Sequence, residues 1–287
     1  MIAITGASGT VGKALLSILT ERGAPVRALV RDPRRLGPYR VRVQLAFSDL
    51  GDPGALRHAL RGADTVIHLA ATIRDQPPRR VEEVNGLGTL RLLRAAERAG
   101  VERFVFFSAI GANRFQRTRF FRSKALAEEG VQASPLNTTI FAPSIVYDRD
   151  DPWVTIMRRL ALLPILPISG SGQALYQPIW AHDVAQCVVA SLEGGGNDRF
   201  ELAGPETLSY EQMARLIANA AGRHRPVVHV PLPLVRSGLI WLRRVFGEAV
   251  FATWEEAELM EIPMVSDHGT ADAEALGVAP KPMPDVL

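Results

Sequence analysis

The sequence predicts an α/β protein: an open, doubly wound parallel sheet with helices on both faces, followed by a small C-terminal α/β lobe. Three observations carry this. Short apolar runs alternate with helical patterns through the first half of the chain. A glycine triplet separates the first apolar run from the first helical run. Near residue 150 the alternation stops and proline becomes frequent.

The apolar runs at 2–5, 26–30, 41–47, 65–70, 104–107 and 138–141 read as strands buried on both faces. Helical patterns lie between them, clearest at 13–22, 84–99 and 120–133. In the second half, Ser209 with Gln212 is a capping box that opens a helix over 210–221. The expected organisation is a core over 1–150 and a smaller substrate or partner lobe over 151–287. The halves interleave, because 179–194 reads as a strand-helix return to the main sheet.

Composition narrows the function classes. The 287 residues are 47% hydrophobic, enough for a full core, and the net charge is only +3. Three of the 33 basic residues are lysine (Lys13, Lys124 and Lys281), so 30 are arginine. The arginine clusters at 27–42 and 114–122 lack the interleaved aromatics of a nucleic-acid surface, which argues against that partner. A single cysteine, Cys187, excludes an internal disulfide and fits a reducing compartment. The histidines show no metal-ligand spacing. A first strand at the chain start leaves no room for a signal peptide, and no apolar stretch approaches the ~20 residues of a membrane span. The expected location is the cytoplasm.

The glycine triplet carries the chemistry. Gly6, Gly9 and Gly12 stand at three-residue spacing between strand and helix, within Thr5-Gly-Ala-Ser-Gly-Thr-Val-Gly12. This is the Rossmann-type arrangement for a dinucleotide pyrophosphate. Gly6 permits the turn, Gly9 lets the backbone approach the phosphates, and Gly12 permits close packing of the helix. The backbone of Ser8, Thr10 and Val11 completes the anion site at the helix N-terminus.

Arg31, 19 residues after Gly12, ends the second strand where a cofactor's ribose is read. Arg31, with Arg34 and Arg35 near it, favours NADP(H). Asp32 leaves NAD(H) open. Asp49 and Leu50 follow the third strand and suit an adenine, the carboxylate accepting from its amino group and the leucine covering its ring. Leu69, Ala70 and Ala71 follow the fourth and leave space for the middle of the cofactor.

Together these motifs resemble the extended and atypical short-chain dehydrogenase/reductase superfamily. The likeness covers most of the chain and continues through Asn85-Gly-Leu-Gly-Thr89, 103–108, 122–128 and 179–185. Residues 107–112 and 121–125 are most similar to the branch that contains the nucleotide-binding accessory subunit of respiratory complex I and its bacterial relatives.

The resemblance implies cofactor contacts for Lys124, Ser108, Asn85 and Pro143. Lys124 and Ser108 would also be catalytic, with Tyr147 as a substitute proton source. Active members pair a tyrosine with a lysine four residues on, which puts both on one helix face. Here Phe120 stands at the tyrosine position, and phenylalanine has no proton to give. Residues 142–144 and 147–152 also depart from the family pattern, where substrate would meet cofactor.

Two functions follow. One is an NAD(P)(H)-binding protein with a structural, sensing or assembly role. The other is an active NADPH-dependent reductase or epimerase on a carbonyl or quinone-like substrate, using Lys124 or Tyr147. Residues 233–246 form an amphipathic cationic stretch that suits a lobe core, a partner or a membrane interface. It raises a peripheral membrane position and a respiratory or quinone-biosynthesis partner.

Overall fold

The computed structural model describes every residue except 77–78, 195, 236 and 239–253. The stretch at 233–246 therefore lies mostly outside the described residues. Seven parallel strands form the main sheet: β1 (Ile2–Thr5), β2 (Val26–Val30), β3 (Gln44–Phe47), β4 (Thr65–His68), β5 (Arg103–Phe107), β6 (Asn137–Pro143) and, later in the chain, β11 (Asp198–Leu202). Their spatial order is β3-β2-β1-β4-β5-β6-β11. The order reverses between β1 and β4, which is the switch point where such sheets bind ligands.

Alternation along each strand builds two cores. Ile4, Ala28, Val30, Ile67, Val105 and Phe141 face α1 (Thr10–Glu21) and α6 (Ala181–Ser191), which supply Leu15, Leu16, Val184 and Val188. Ala3, Leu29, Val66, Phe104, Phe106 and Ile140 face the other way, against α2 (Pro53–Ala59), α3 (Gly88–Ala99) and α4 (Arg119–Gln132). Cys187 belongs to the first core, and burial pushes its thiol up to about 12.

Two expected strands move. The run at 41–47 begins its strand only at Gln44, because a 3-10 segment takes Pro33–Val41 first. Asp32 starts that segment by accepting from the Arg34 amide at 3.1 Å, and Gly37 turns it at a φ of 57°. Residues 179–194 do not supply the returning strand. There β10 (Ile179–Trp180) pairs instead with β7 (Val146–Tyr147), and α6 lies against the α1 face. The strand that joins the sheet is β11, pairing with β6 from Asp198↔Thr139 to Leu202↔Pro143. It is a polar edge strand, so no apolar run announces it.

The lobe has its own core. Met157 of α5 (Pro152–Leu160) packs with Met213 and Ile217 of α7 (Tyr210–Ala220), Leu166 and Ile168 of β8 (Leu166–Ser169), Tyr176 of β9 (Leu175–Tyr176), and Met283 near the C-terminus. The capping box forms as the sequence predicts: Gln212 N donates to Ser209 Oγ at 3.1 Å, and Ser209 N to Gln212 Oε1 at 2.7 Å. Among the described residues no helix is long and apolar enough to cross a membrane.

Leu16 is fully buried between α1 and the sheet. Leu16→Ala should lower unfolding stability by about 2–5 kcal/mol in urea titrations.

Candidate dinucleotide site

An open cleft of about 640 Å³ lies at the switch point, walled by the C-terminal ends of β1 to β4 and the loops after them. Gly6, Ser8, Gly9, Arg31, Asp49, Leu50, Leu69, Ala70 and Ala71 all line it. Backbone geometry explains the glycines. Gly6 has a φ of +71°, and a Cβ there would stand 2.5 Å from the Ala70 nitrogen. A Cβ on Gly12 would stand 2.4 Å from the Gly6 carbonyl oxygen, so Gly12 packs against the loop itself. Gly9 closes the turn by donating to the Gly6 carbonyl at 2.9 Å.

Helix α1 therefore starts at the cleft wall. Its N-cap is Gly9, which offers no side-chain cap, and its first turn holds no acid. Thr10, Val11 and Gly12 contribute first-turn amides, which have no acceptor within the helix. The Ser48 hydroxyl, also in the wall, is buried without a hydrogen-bond partner. A backbone cradle that no side chain can enter, an uncapped helix start and an orphaned hydroxyl together fit a dinucleotide.

The outer end of the cleft is charged. Asp32 N-caps the 3-10 segment and takes Arg34 Nε at 3.1 Å; that hydrogen bond holds its carboxyl below the usual range. Arg31 and Arg35 line the wall beside it. Asp49 Oδ1 accepts from the Gly51 amide at 2.7 Å and from the Arg79 guanidinium. Thr72, Gln76, Arg79 and Val84 also line the cleft and were not expected there. They come from the connection after β4, whose apolar-poor sequence gives no sign of the fold-back.

The remaining expected residues do not line this cleft. Asn85 is fully buried in a π-helical turn (Glu83–Leu87), where its side chain accepts from the Thr72 amide and donates to the Thr72 carbonyl, both at 2.8 Å. It fixes the cleft wall from behind. Ser108 donates to Glu128, which also takes Arg199 Nε at 2.7 Å, so this hydroxyl belongs to an ion-pair network reaching β11. Pro143 ends β6, paired with Leu202, and its carbonyl accepts from Ile110.

Tyr147 is fully buried in the lobe core, which pushes its phenol above the ordinary range, and its hydroxyl has no partner. That setting disfavours proton exchange at the cleft. Phe120 packs edge-on against Phe121, in an apolar cluster with Ala109, Leu259 and Ile262.

Lys124 is buried one helical turn after Phe120. Its Nζ donates to the Phe107 carbonyl at 2.5 Å and lies 5.1 Å from the Phe106 ring centroid. Burial pulls it down to about 8. His68, 1% exposed, bridges Thr5 Oγ1 at 2.6 Å and Thr89 Oγ1 at 2.8 Å. Thr89 donates onward to the Asn85 carbonyl, so the network assigns the ring proton to Nε2, with Thr5 donating to Nδ1.

Burial, and secondarily the Lys124 charge, pull His68 down to about 3. Between its ordinary 6.5 and that value, the unfolded chain binds a proton that the folded chain refuses. Stability contributed by neutral His68 is thus present above pH 6.5 and lost as pH falls below it. From pH 7 to 5 the wild type should lose about 2 kcal/mol more unfolding stability than His68→Gln, read from urea midpoints.

The comparisons with known proteins agree with this geometry. An NAD(P)H-binding family profile matches residues 6–195. Subunit 9 of the mitochondrial NADH dehydrogenase (ubiquinone) 1 alpha subcomplex of Arabidopsis thaliana is 27% identical over 249 residues. That match covers 82% of this chain and only 61% of the relative's length. A ceramide reductase of Caulobacter vibrioides is 32% identical over 268 residues, covering 91% of this chain and 84% of the reductase. Among solved structures, Thermus thermophilus UDP-glucose 4-epimerase in complex with NAD has a TM-score of 0.73 at 22% identity. It covers 98% of this chain and 94% of the epimerase, a likeness of fold. With the profile running from the first loop glycine past the end of α6, this chain belongs to the NAD(P)H-binding family.

Proposed function

We propose that this protein binds NADP(H) in preference to NAD(H), and uses it in a structural, sensing or assembly role rather than for ordinary carbonyl–alcohol turnover. The carrying observation is the environment of the helix face on which active relatives keep their tyrosine and lysine. Phe120 there is packed in an apolar cluster, and the Lys124 amine is held by the Phe107 carbonyl. Among the described residues, those lining the cleft include no tyrosine, histidine, cysteine or lysine to act as general acid. Losing such a group typically lowers rate by about 10²- to 10⁴-fold.

The NADP(H) preference is supported at the end of β2. Asp32, the acid that could read free ribose hydroxyls, is engaged by Arg34. Arg31 and Arg35 line the wall, as a 2′-phosphate would require. The likeness to a respiratory complex subunit supports a membrane-complex partner, and with it a cytoplasmic protein peripheral to the membrane.

A second reading, NADPH-dependent reduction of a carbonyl or quinone-like compound, is favoured by Lys124 itself. At about 8, its amine can exchange a proton near neutral pH. In that reading bound NADPH would supply the hydride, and Lys124 would hold the proton.

The nucleotide that co-purifies, identified by mass and redox state, tests the first reading together with NADPH consumption on carbonyl and quinone panels. Bound NADP(H), tighter binding of NADPH than NADH, and no steady turnover are expected. Steady turnover that Lys124→Ala abolishes would establish the second reading instead.

A further inference from the structure

The connection after β4 carries two contacts across the outer end of the cleft. Its backbone folds back where Gln76 N donates to the Arg79 carbonyl at 2.9 Å and Arg79 N to the Gln76 carbonyl at 2.7 Å. Gln76 Oε1 receives Arg31 Nη2 at 3.3 Å, and Arg79 donates to Asp49 Oδ1. These two residues thus reach the exits of both β2 and β3, the two sides of the adenosine end.

The guanidinium end of Arg79 lies beside Gly51, 2.8 Å from where a Cβ would stand. The Gln76–Arg79 pairing is anchored on both sides. Asn85 pins Thr72 before it, and Arg119 holds both flanks, donating to Asp75 Oδ2 at 3.0 Å on the near side and to Glu82 Oε1 at 2.5 Å on the far side. An anchored side chain is ordered before ligand arrives, so binding does not bear that entropy cost.

We propose that Arg79 is a specificity residue of this cleft: by pairing with Asp49 it masks a carboxylate that would otherwise repel an adenosine 2′-phosphate. The inference rests on the reading that the cleft takes NADP(H). Asp32 is already paired with Arg34, which leaves Asp49 as the other acid of the lining. The Arg79 and Asp49 side chains are only 33% and 31% exposed. Water screens such half-buried charges incompletely, so an unmasked Asp49 opposes an added dianion in the same cleft. A 2′-hydroxyl carries no such charge. The effect therefore falls on the phosphorylated nucleotide.

The ratio of NADH to NADPH dissociation constants tests this, because any shared contact of Asp49 with adenine cancels from it. Fluorescence titrations would use the full chain as wild type, Arg79→Gln, Asp49→Asn and the double variant, with thermal melts checking that each is folded. Arg79→Gln should cut the NADPH preference roughly tenfold, a change of about 1.4 kcal/mol. The double variant should restore it, since no carboxylate remains to be masked. An unchanged preference in Arg79→Gln overturns the proposal. A double variant as weak for NADPH as Arg79→Gln also overturns it, and makes Arg79 a direct phosphate ligand. Wild-type protein that binds NADH as tightly as NADPH overturns the NADP(H) reading itself, and the masking with it.

Discussion

At the head of the cleft, backbone packs against backbone where only glycine fits. Gly12 lies against the Gly6 carbonyl and Ala7, while Gly6 lies against the Leu69–Ala70 peptide at the end of β4. These contacts bring the start of α1, the end of β1 and the end of β4 to one point. Everything else at the cleft depends on that point, because it sets where the uncapped amides of α1 stand relative to the sheet edge. A methyl group at either glycine would push the helix away. Burial of Leu15, Leu16 and Leu19 beneath α1 then fixes the helix axis.

In the proposed function, nucleotide binding and the residues that the resemblance assigns to chemistry lie apart. The cleft wall is made of backbone and loop residues at the ends of β1 to β4. The residues expected to do chemistry lie elsewhere, each with another task. Ser108 belongs to the Glu128–Arg199 network, and Tyr147 fills the lobe core. Lys124 remains the exception, buried and lowered toward neutrality but held by the Phe107 carbonyl. Such an arrangement suits a scaffold that retains the nucleotide.

Legibility in the sequence followed the range of the interaction. The glycine loop, β1, β2 and the Ser209–Gln212 capping box depend on residues a few positions apart, so pattern alone locates them. The delayed start of β3 depends on Asp32 capping the preceding turn, a competition that an apolar run does not reveal. β11 escapes notice because an edge strand needs little apolar surface. Arg79 reaches Asp49 across 30 residues, and no local signal could pair them. Tyr147 follows β6 closely in the sequence, but the apolar lobe around it determines where the ring goes.

Backbone amide shifts during NADPH titration of isotope-labelled protein probe the α1 cradle most directly. The largest changes should fall on Ser8 to Gly12 and on Asp49 to Gly51, with the lobe helices α5 and α7 little affected. Changes confined to the lobe, with the Gly9 to Gly12 amides unmoved at saturation, would contradict a nucleotide seated on the N-terminus of α1.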